Sequence, residues 1–360
     1  MKKVAPALGL SLLSLSGAAG AQVVPERRFD IGIAVTNSYE SNILRINPDA
    51  PVSPGQSRDD FRATPSITID VQQPLGRQAV FLAGSVGYDF YRENKQLERE
   101  RIELIGGADL SLGPCSSRVF LSYGRQQSDL ADVLVDERQI NTQTRASYGA
   151  DLGCRTFGPL EPTFSYEHER VKNDDPLRQS GNNTKDSFSV GLNYSRPAFG
   201  TVGLSTSYVY SRYDRTAAFP LENSLKAYSA NIFFEREFGS QLLGTASLGV
   251  TRVDPSLPDV PDFQGLSYSA DLTWSPGTRM QVAVGISREA EQPNLLSISY
   301  AIVDSYRAEL RYALSNRIRL STGVDLQRRL LRDSALTAGP VLITYGRRVL
   351  LFAGATYQAG

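Results

Sequence analysis

The chain has 360 residues, and its 38 basic and 38 acidic side chains give a formal net charge of zero at neutral pH. Because there is no basic excess, the sequence lacks the electrostatic footprint of a nucleic-acid-binding protein, and we expect no nucleic-acid partner. With one histidine and two cysteines, it also lacks the residues that usually build zinc and haem sites, so we expect no metal and no cofactor.

The N-terminus has the three parts of a secretory signal. Lys2 and Lys3 are basic, an apolar run extends from Leu8 to Leu15, and Ala19-Gly20-Ala21 is a small-residue cleavage site. We therefore predict a signal peptide at residues 1–21 and one domain at 22–360, which begins with a short periplasmic lead at 22–28. No later apolar run approaches the roughly 20 residues of a membrane-spanning helix.

Strict alternation of apolar and polar residues follows along the chain. Its first clear example runs from Phe61 to Val71, where Arg62 and Asp70 lie on the polar face. A period of two residues predicts half-buried strands. The same pattern recurs at residues 80–90, 188–194, 202–210, 266–274, 306–312 and 318–326.

Strand length and loop length indicate the architecture. The alternating runs reach ten or more residues, which matches the roughly 9–11 residues of a tilted strand that crosses a bilayer. Short connections, such as 113–115 and 276–277, alternate with long polar ones, such as 46–59 and 254–264. The sequence therefore predicts an all-β fold, a transmembrane antiparallel up-and-down β-barrel of about 16–18 strands in the outer membrane of a Gram-negative bacterium.

A β-propeller is the alternative fold, because a hairpin recurs about every 40 residues, the length of a propeller blade. It is disfavoured, since each repeat holds two long strands where a blade has four short ones. The strand count leaves one question open. About 16 strands end near Gly346 and one more is expected at Val349–Tyr357. Either one strand has been split or missed, or the chain stops one strand early and the full barrel has about 18.

Aromatic residues gather near the predicted strand ends, where a membrane interface favours amphipathic rings. Ordinary strand propensity is the alternative explanation. The groups are Tyr88, Phe90 and Tyr91; Tyr208, Tyr210 and Tyr213; and Tyr268 and Trp274.

Cys115 and Cys154 fall in short turns one hairpin apart, and therefore at the same rim. An oxidising compartment allows them to form a structural disulfide. The alternative is two free thiols whose Cα atoms are more than about 7 Å apart.

His168, between Glu167 and Glu169, is the sole imidazole available to a hydrolase as a general base. No nucleophile can be assigned to it from spacing, and a solvated charged rim explains it more simply. We therefore predict that the protein is not an enzyme, with an outer-membrane hydrolase as the least favoured alternative.

Charged residues on the polar faces are predicted to line a lumen. They either neutralise one another across strands or, in a barrel wide enough to hold water, guide anionic solutes. The candidate lumen charges are Arg307, Glu309, Arg311, Arg317, Arg319 and Asp325, of which we favour the arginines as an anion-guiding group.

The segment Asn37–Arg45 resembles the opening of a family of β-barrel porins encoded with exopolysaccharide biosynthesis genes, the beta-barrel porin 2-like proteins. The resemblance continues at Asp59-Asp60-Phe61, Leu75-Gly76-Arg77 and Tyr88-Asp89-Phe90-Tyr91. It implies an outer-membrane barrel, used as a pore or a scaffold, that helps to export or assemble a surface polysaccharide.

The partners then expected are outer-membrane lipid, an anionic polysaccharide and periplasmic export proteins. A general diffusion porin or solute uptake channel is the main alternative function, because it shares every feature except the family association.

Overall fold

The computed structural model describes residues 27–44, 52, 54–127, 141–155, 158–214, 223–256, 262–291, 298–333 and 345–358. The predicted signal peptide at 1–21 lies outside these residues. Sixteen strands account for most of the described chain. They are β1 (Arg28–Glu40), β2 (Asp60–Leu75), β3 (Gln78–Tyr91), β4 (Arg99–Leu112), β5 (Cys115–Gln127), β6 (Thr142–Cys154), β7 (Leu160–Asn173), β8 (Asn183–Arg196), β9 (Gly200–Tyr213), β10 (Ser224–Phe238), β11 (Leu242–Pro255), β12 (Phe263–Trp274), β13 (Met280–Glu291), β14 (Ile298–Ala313), β15 (Ile318–Asp333) and β16 (Tyr345–Gln358).

The strands form one closed antiparallel barrel in which each strand pairs with its neighbour in sequence, and β16 pairs with β1. This confirms the predicted fold class. Closure leaves no open sheet edge, which a lipid environment requires. Two short 3₁₀ turns, Lys95–Leu97 and Pro176–Gly181, lie in loops, and no helix in the described part of the chain is long and apolar enough to cross a membrane.

The outward face is defined by exposed apolar side chains at every second position. Phe29 on β1, Leu121 on β5 and Leu248 on β11 are 69%, 67% and 59% exposed. Exposing this much apolar surface to water costs roughly 25 cal/mol per Å², whereas the hydrocarbon of a bilayer accepts it. The opposite parity of each strand is the inward face, and it is small, polar or charged.

The two rims differ in the length of their connections. Tight turns join β2 to β3 and β4 to β5, where Gly76 and Gly113 have φ angles of 66° and 64° that favour glycine. Long loops join strands at the other rim, for example residues 41–59 between β1 and β2. Short turns mark the periplasmic rim and long loops the extracellular rim.

The expected seventeenth strand is not a separate element. Val349–Tyr357 lies within β16, which also contains Gly346 and pairs with β1 through Ala353↔Asn37. Arg347 and Arg348 interrupt the apolar alternation at the start of this strand. The sequence pattern alone therefore predicts a strand boundary there, where the structure has one continuous strand.

Candidate lumen site

Hydroxyl groups form continuous rows on the inward face, because serines on successive strands are direct register partners. One row crosses β7 to β10 and the other crosses β11 to β14. Ser207 and Ser229 have their Oγ atoms 2.6 Å apart, and the Oγ atoms of Ser247 and Ser269 are 2.8 Å apart. The rows are Ser165, Ser189, Ser207 and Ser229, and Ser247, Ser269, Ser287 and Ser305.

Inward charges on the first strands are largely paired. Arg28 contacts Asp70 at 2.7 Å between β1 and β2, and Arg118 contacts Asp109 at 2.6 Å between β5 and β4. The Asp89 carboxylate, 1% exposed, accepts hydrogen bonds from the Thr64 hydroxyl and the Arg101 guanidinium. In this part of the wall the charged residues neutralise one another across strands, which is the alternative to guiding anionic solutes.

The candidate lumen charges lie on β14 and β15, with one exception. By register and alternation, five of the six belong to the inward face: Arg307, Glu309, Arg311, Arg319 and Asp325. Arg317 does not line the lumen wall, because β15 begins only at Ile318, and this arginine is exposed in the turn at the periplasmic rim.

Arg307 has the most open position in this group. Its guanidinium is 47% exposed and approaches the Asp271 carboxylate of β12 at 3.8 Å. The contact passes over Gly285 of β13, where a Cβ atom would collide with the Asp271 carboxylate. On its other side, Arg307 faces Asp325 of β15.

The neighbouring charges differ in their pairing. The Arg311 guanidinium donates two hydrogen bonds to the Glu309 carboxylate, at 2.6 and 2.7 Å. Arg319 is exposed and forms no ion pair with any residue that the structure describes. Arg319 therefore presents unpaired charge to the lumen, and Arg307 presents a half-exposed guanidinium beside Asp271.

Charge is segregated around the barrel. Among described residues, the inward faces of β14 to β16 carry mainly arginines, adding Arg329 and Arg348 to those named above. The inward faces of β7 to β13 carry one base, Lys185, and a larger acidic set. This set contains Glu161, Glu167, Glu169, Glu235, Glu237, Asp271 and Glu289.

The extracellular mouth is narrowed by the upper part of β13 and β14. Pairing between β12 and β13 stops at Tyr268↔Arg288, although both strands continue towards the loops. Beyond this point Tyr300 and Ile302, of outward parity, pack against Leu225 and Val253, of inward parity. An outward face can meet an inward face only if one sheet lies inside the other. The described extracellular ends of β13 and β14 therefore lean into the lumen.

A second apolar cluster covers the mouth from the opposite wall. Ile43 and Leu44, in the loop after β1, pack against the inward-facing Tyr91 and against Leu97. Nearby, the Asp60 carboxylate accepts hydrogen bonds from the backbone N–H groups of residues 92–94. Residues 43 and 44, at the start of the loop after β1, are thus packed against the inward face of the barrel.

His168 lies on the outward face of β7 and not in the lumen. Its Nδ1 atom is 2.8 Å from the Asp186 carboxylate, and its ring stacks on Tyr148 with 5.0 Å between centroids. Its register partners on the two neighbouring strands are Tyr148 and Asp186.

The predicted aromatic groups divide between the two faces. Tyr88, Phe90 and Trp274 are outward and exposed, as an interfacial belt requires, whereas Tyr91 and Tyr213 face inward and are buried. At the periplasmic rim, Cys115 and Cys154 are direct register partners and form a disulfide.

The serine rows are the main feature that sequence reasoning missed. Each serine taken alone resembles an ordinary solvent-facing residue of a strand, and the rows emerge only when register is known. A recurrent serine in the polar half of each strand is the sequence signal that could have revealed them.

Comparisons with known proteins agree with the barrel. Residues 205–359 match the family model described as "Putative beta-barrel porin 2", which confirms the predicted resemblance. None of the curated proteins matches the chain. Among solved structures, one titled "Bacterial polysaccharide outer membrane secretin" is similar, at 9% identity and a TM-score of 0.44, over 92% of this chain and 98% of that chain.

A BenF-like porin from Pseudomonas fluorescens Pf-5 is similar at 10% identity and a TM-score of 0.44, over 92% of this chain and 98% of that one. OccK2 (OpdF) from Pseudomonas aeruginosa is similar at 12% identity and a TM-score of 0.41, over 92% and 97%. The family match and the closed barrel with its apolar outward face identify a porin-like barrel of the Gram-negative outer membrane, in contact with lipid.

Proposed function

From its similarity to the beta-barrel porin 2 family, we propose that this outer-membrane barrel takes part in exopolysaccharide export, as a pore and without catalysing a reaction. The observation that carries the proposal is the inward surface. There, rows of serine hydroxyls lie beside a wall of arginines on β14 to β16.

This surface suits a hydrated, anionic sugar chain. A hydroxyl both donates and accepts hydrogen bonds, so serine rows can exchange partners with the hydroxyls of a moving sugar without holding it. Arg307 and Arg319 supply charge that attracts carboxylate or sulfate groups of the polymer. Periplasmic export proteins would deliver the chain at the rim of short turns.

The packing at the extracellular mouth of the barrel is consistent with regulated passage of the polymer. Tyr300 and Ile302 are 2% and 3% exposed, so the extracellular ends of β13 and β14 are held by apolar packing and not by a continuous ladder to β12. Such a contact can break without disrupting the barrel. The export proposal therefore includes displacement of these strand ends when polymer enters.

A deletion strain tests this function. Complementation with the wild-type gene is expected to restore the amount of cell-surface polysaccharide, and a variant with Arg307→Gln and Arg319→Gln is expected to restore less. The matched control, Arg328→Gln with Arg347→Gln, removes equal charge from the outward face. Unchanged polysaccharide in the deletion strain would refute export.

A general diffusion porin is the second candidate, favoured by the segregation of acidic and basic residues across the lumen. A transverse field of this kind orients small dipolar solutes in a narrow pore. If uptake of small solutes falls in the deletion strain while surface polysaccharide is unchanged, the diffusion porin is the function.

His168→Ala is expected to leave both solute uptake and surface polysaccharide as in the wild type, because the side chain faces away from the lumen.

A further inference from the structure

An aromatic row marks one level of the outward face on β7 to β10. Its members are direct register partners on consecutive strands, and their ring centroids lie 4.8 to 5.1 Å apart in two of the pairs. Tyrosine rings at the end of a lipid-facing strand indicate the level of the membrane interface. The row consists of Tyr166, Phe188, Tyr208 and Tyr228.

Basic side chains lie on the loop side of this row. Lys226 is one step beyond Tyr228 on the same face, and Arg170 and Arg212 lie in one register row across Thr184. Lys172 follows Arg170 by two residues and has the same parity. All four side chains are exposed. Together, Arg170, Lys172, Arg212 and Lys226 form what we call the outer basic patch.

Two outward carboxylates lie beside the patch. Asp186 accepts a hydrogen bond from Tyr166 and contacts His168, and Asp254, the register partner of Lys226, forms an ion pair with Arg252 at 2.7 Å. Within the described chain, none of the four residues of the outer basic patch forms an ion pair. Because Asp254 is already paired with Arg252, the four basic side chains exceed the strand carboxylates beside them, and the patch has a net positive charge.

The position of this charge identifies its ligand. The patch lies at the extracellular end of the strands and on the face that meets lipid, so the groups opposite it are the headgroups of the outer leaflet. We propose that the outer basic patch binds the phosphate groups of a phosphorylated glycolipid in that leaflet. Arginine matches phosphate oxygens in a bidentate manner, and lysine contributes a mobile point charge.

The test measures binding of diphosphoryl lipid A to the refolded barrel in detergent, by native mass spectrometry. Each Lys or Arg beside an anionic membrane surface raises affinity by about fivefold. Arg170→Gln with Arg212→Gln is therefore expected to weaken binding by at least tenfold. Retention of the folded, heat-modifiable band in SDS gels shows that the variant barrel has formed.

The matched control is Arg196→Gln with Arg236→Gln. These two arginines also face outward but lie near the periplasmic ends of β8 and β10, against the rings of Tyr194 and Phe238. The control is expected to bind diphosphoryl lipid A as the wild type does, and the fully dephosphorylated glycolipid is expected to bind weakly to every protein.

Three results would overturn the proposal. One is an equal loss of affinity in both double variants, which would indicate a nonspecific charge effect. Another is equal binding of the phosphorylated and dephosphorylated glycolipids. The third is a change of oligomeric state with lipid binding unaltered, which would assign the patch to contact with a second copy of this chain.

Discussion

Removing inward arginines should change the ion selectivity of the pore, and removing outward ones should not. Arg307, 47% exposed, and Arg319 present charge to the lumen, whereas Arg328 and Arg347 are exposed on the outward face. Arg307→Gln with Arg319→Gln is therefore compared with Arg328→Gln with Arg347→Gln. Both double variants lose the same charge from the adjacent strands β14 to β16.

The expected magnitude follows from Coulomb's law. A unit charge about 5 Å from a passing ion contributes about 0.8 kcal/mol in water, and a Debye length of about 8 Å at physiological salt reduces this by roughly half. Each arginine then raises the local anion concentration by about twofold and lowers the local cation concentration by about twofold, so each arginine changes the local anion-to-cation ratio by about fourfold.

The reversal potential in a potassium chloride gradient across a planar bilayer measures this effect. The inward double variant is expected to lower the anion-to-cation permeability ratio by at least about fourfold, the effect of a single arginine. The outward double variant is expected to match the wild type. Equal shifts in the two variants, or no shift in either, would refute the assignment of faces.

Three further predictions concern stability and gating. Replacing Cys115 and Cys154 with serine removes a cross-link between residues 39 apart in sequence. Because the unfolded chain then gains conformational entropy, the free energy of unfolding, measured with urea in lipid vesicles, is expected to fall by up to about 4 kcal/mol. No change would mean that strand pairing already supplies the constraint. Asp89→Asn removes a fully buried carboxylate that contacts the half-buried Arg101 and Arg62, and it is expected to cost about 3 to 5 kcal/mol in the same assay. Asp109→Asn is expected to cost about 1 kcal/mol or less, because its carboxylate is partly exposed, and similar losses in the two variants would contradict the burial argument. Tyr300→Ala removes a buried ring at the extracellular end of β14 and is expected to increase the open time of the channel in single-channel records. Unchanged gating would mean that this end of β14 does not restrict passage.

Much of the fold follows from the sequence, because alternation assigns faces without knowledge of register. The exposed side chains of Phe61 and Ile67 and the inward Asp70 occur where the pattern predicts them. The start of β16 could not be predicted from the sequence, because Arg347 and Arg348 interrupt the apolar alternation inside a continuous strand.

The mouth and the serine rows depend on pairing that a single sequence does not contain. Tyr300 and Ile302 have the same apolar alternation as lipid-facing residues lower on β14, yet they are buried because the β12–β13 ladder stops at Tyr268↔Arg288. Arg317 was assigned to the lumen for a similar reason, since charge and spacing do not show where a turn ends and β15 begins.

Single-channel conductance of the refolded barrel, with dextran sulfate or neutral dextran of the same length on the periplasmic side, tests the central claim most directly. A pore for an anionic polysaccharide predicts stable conductance that dextran sulfate blocks transiently, and more strongly than neutral dextran does. Absence of conductance, or conductance that is indifferent to both polymers, would contradict it.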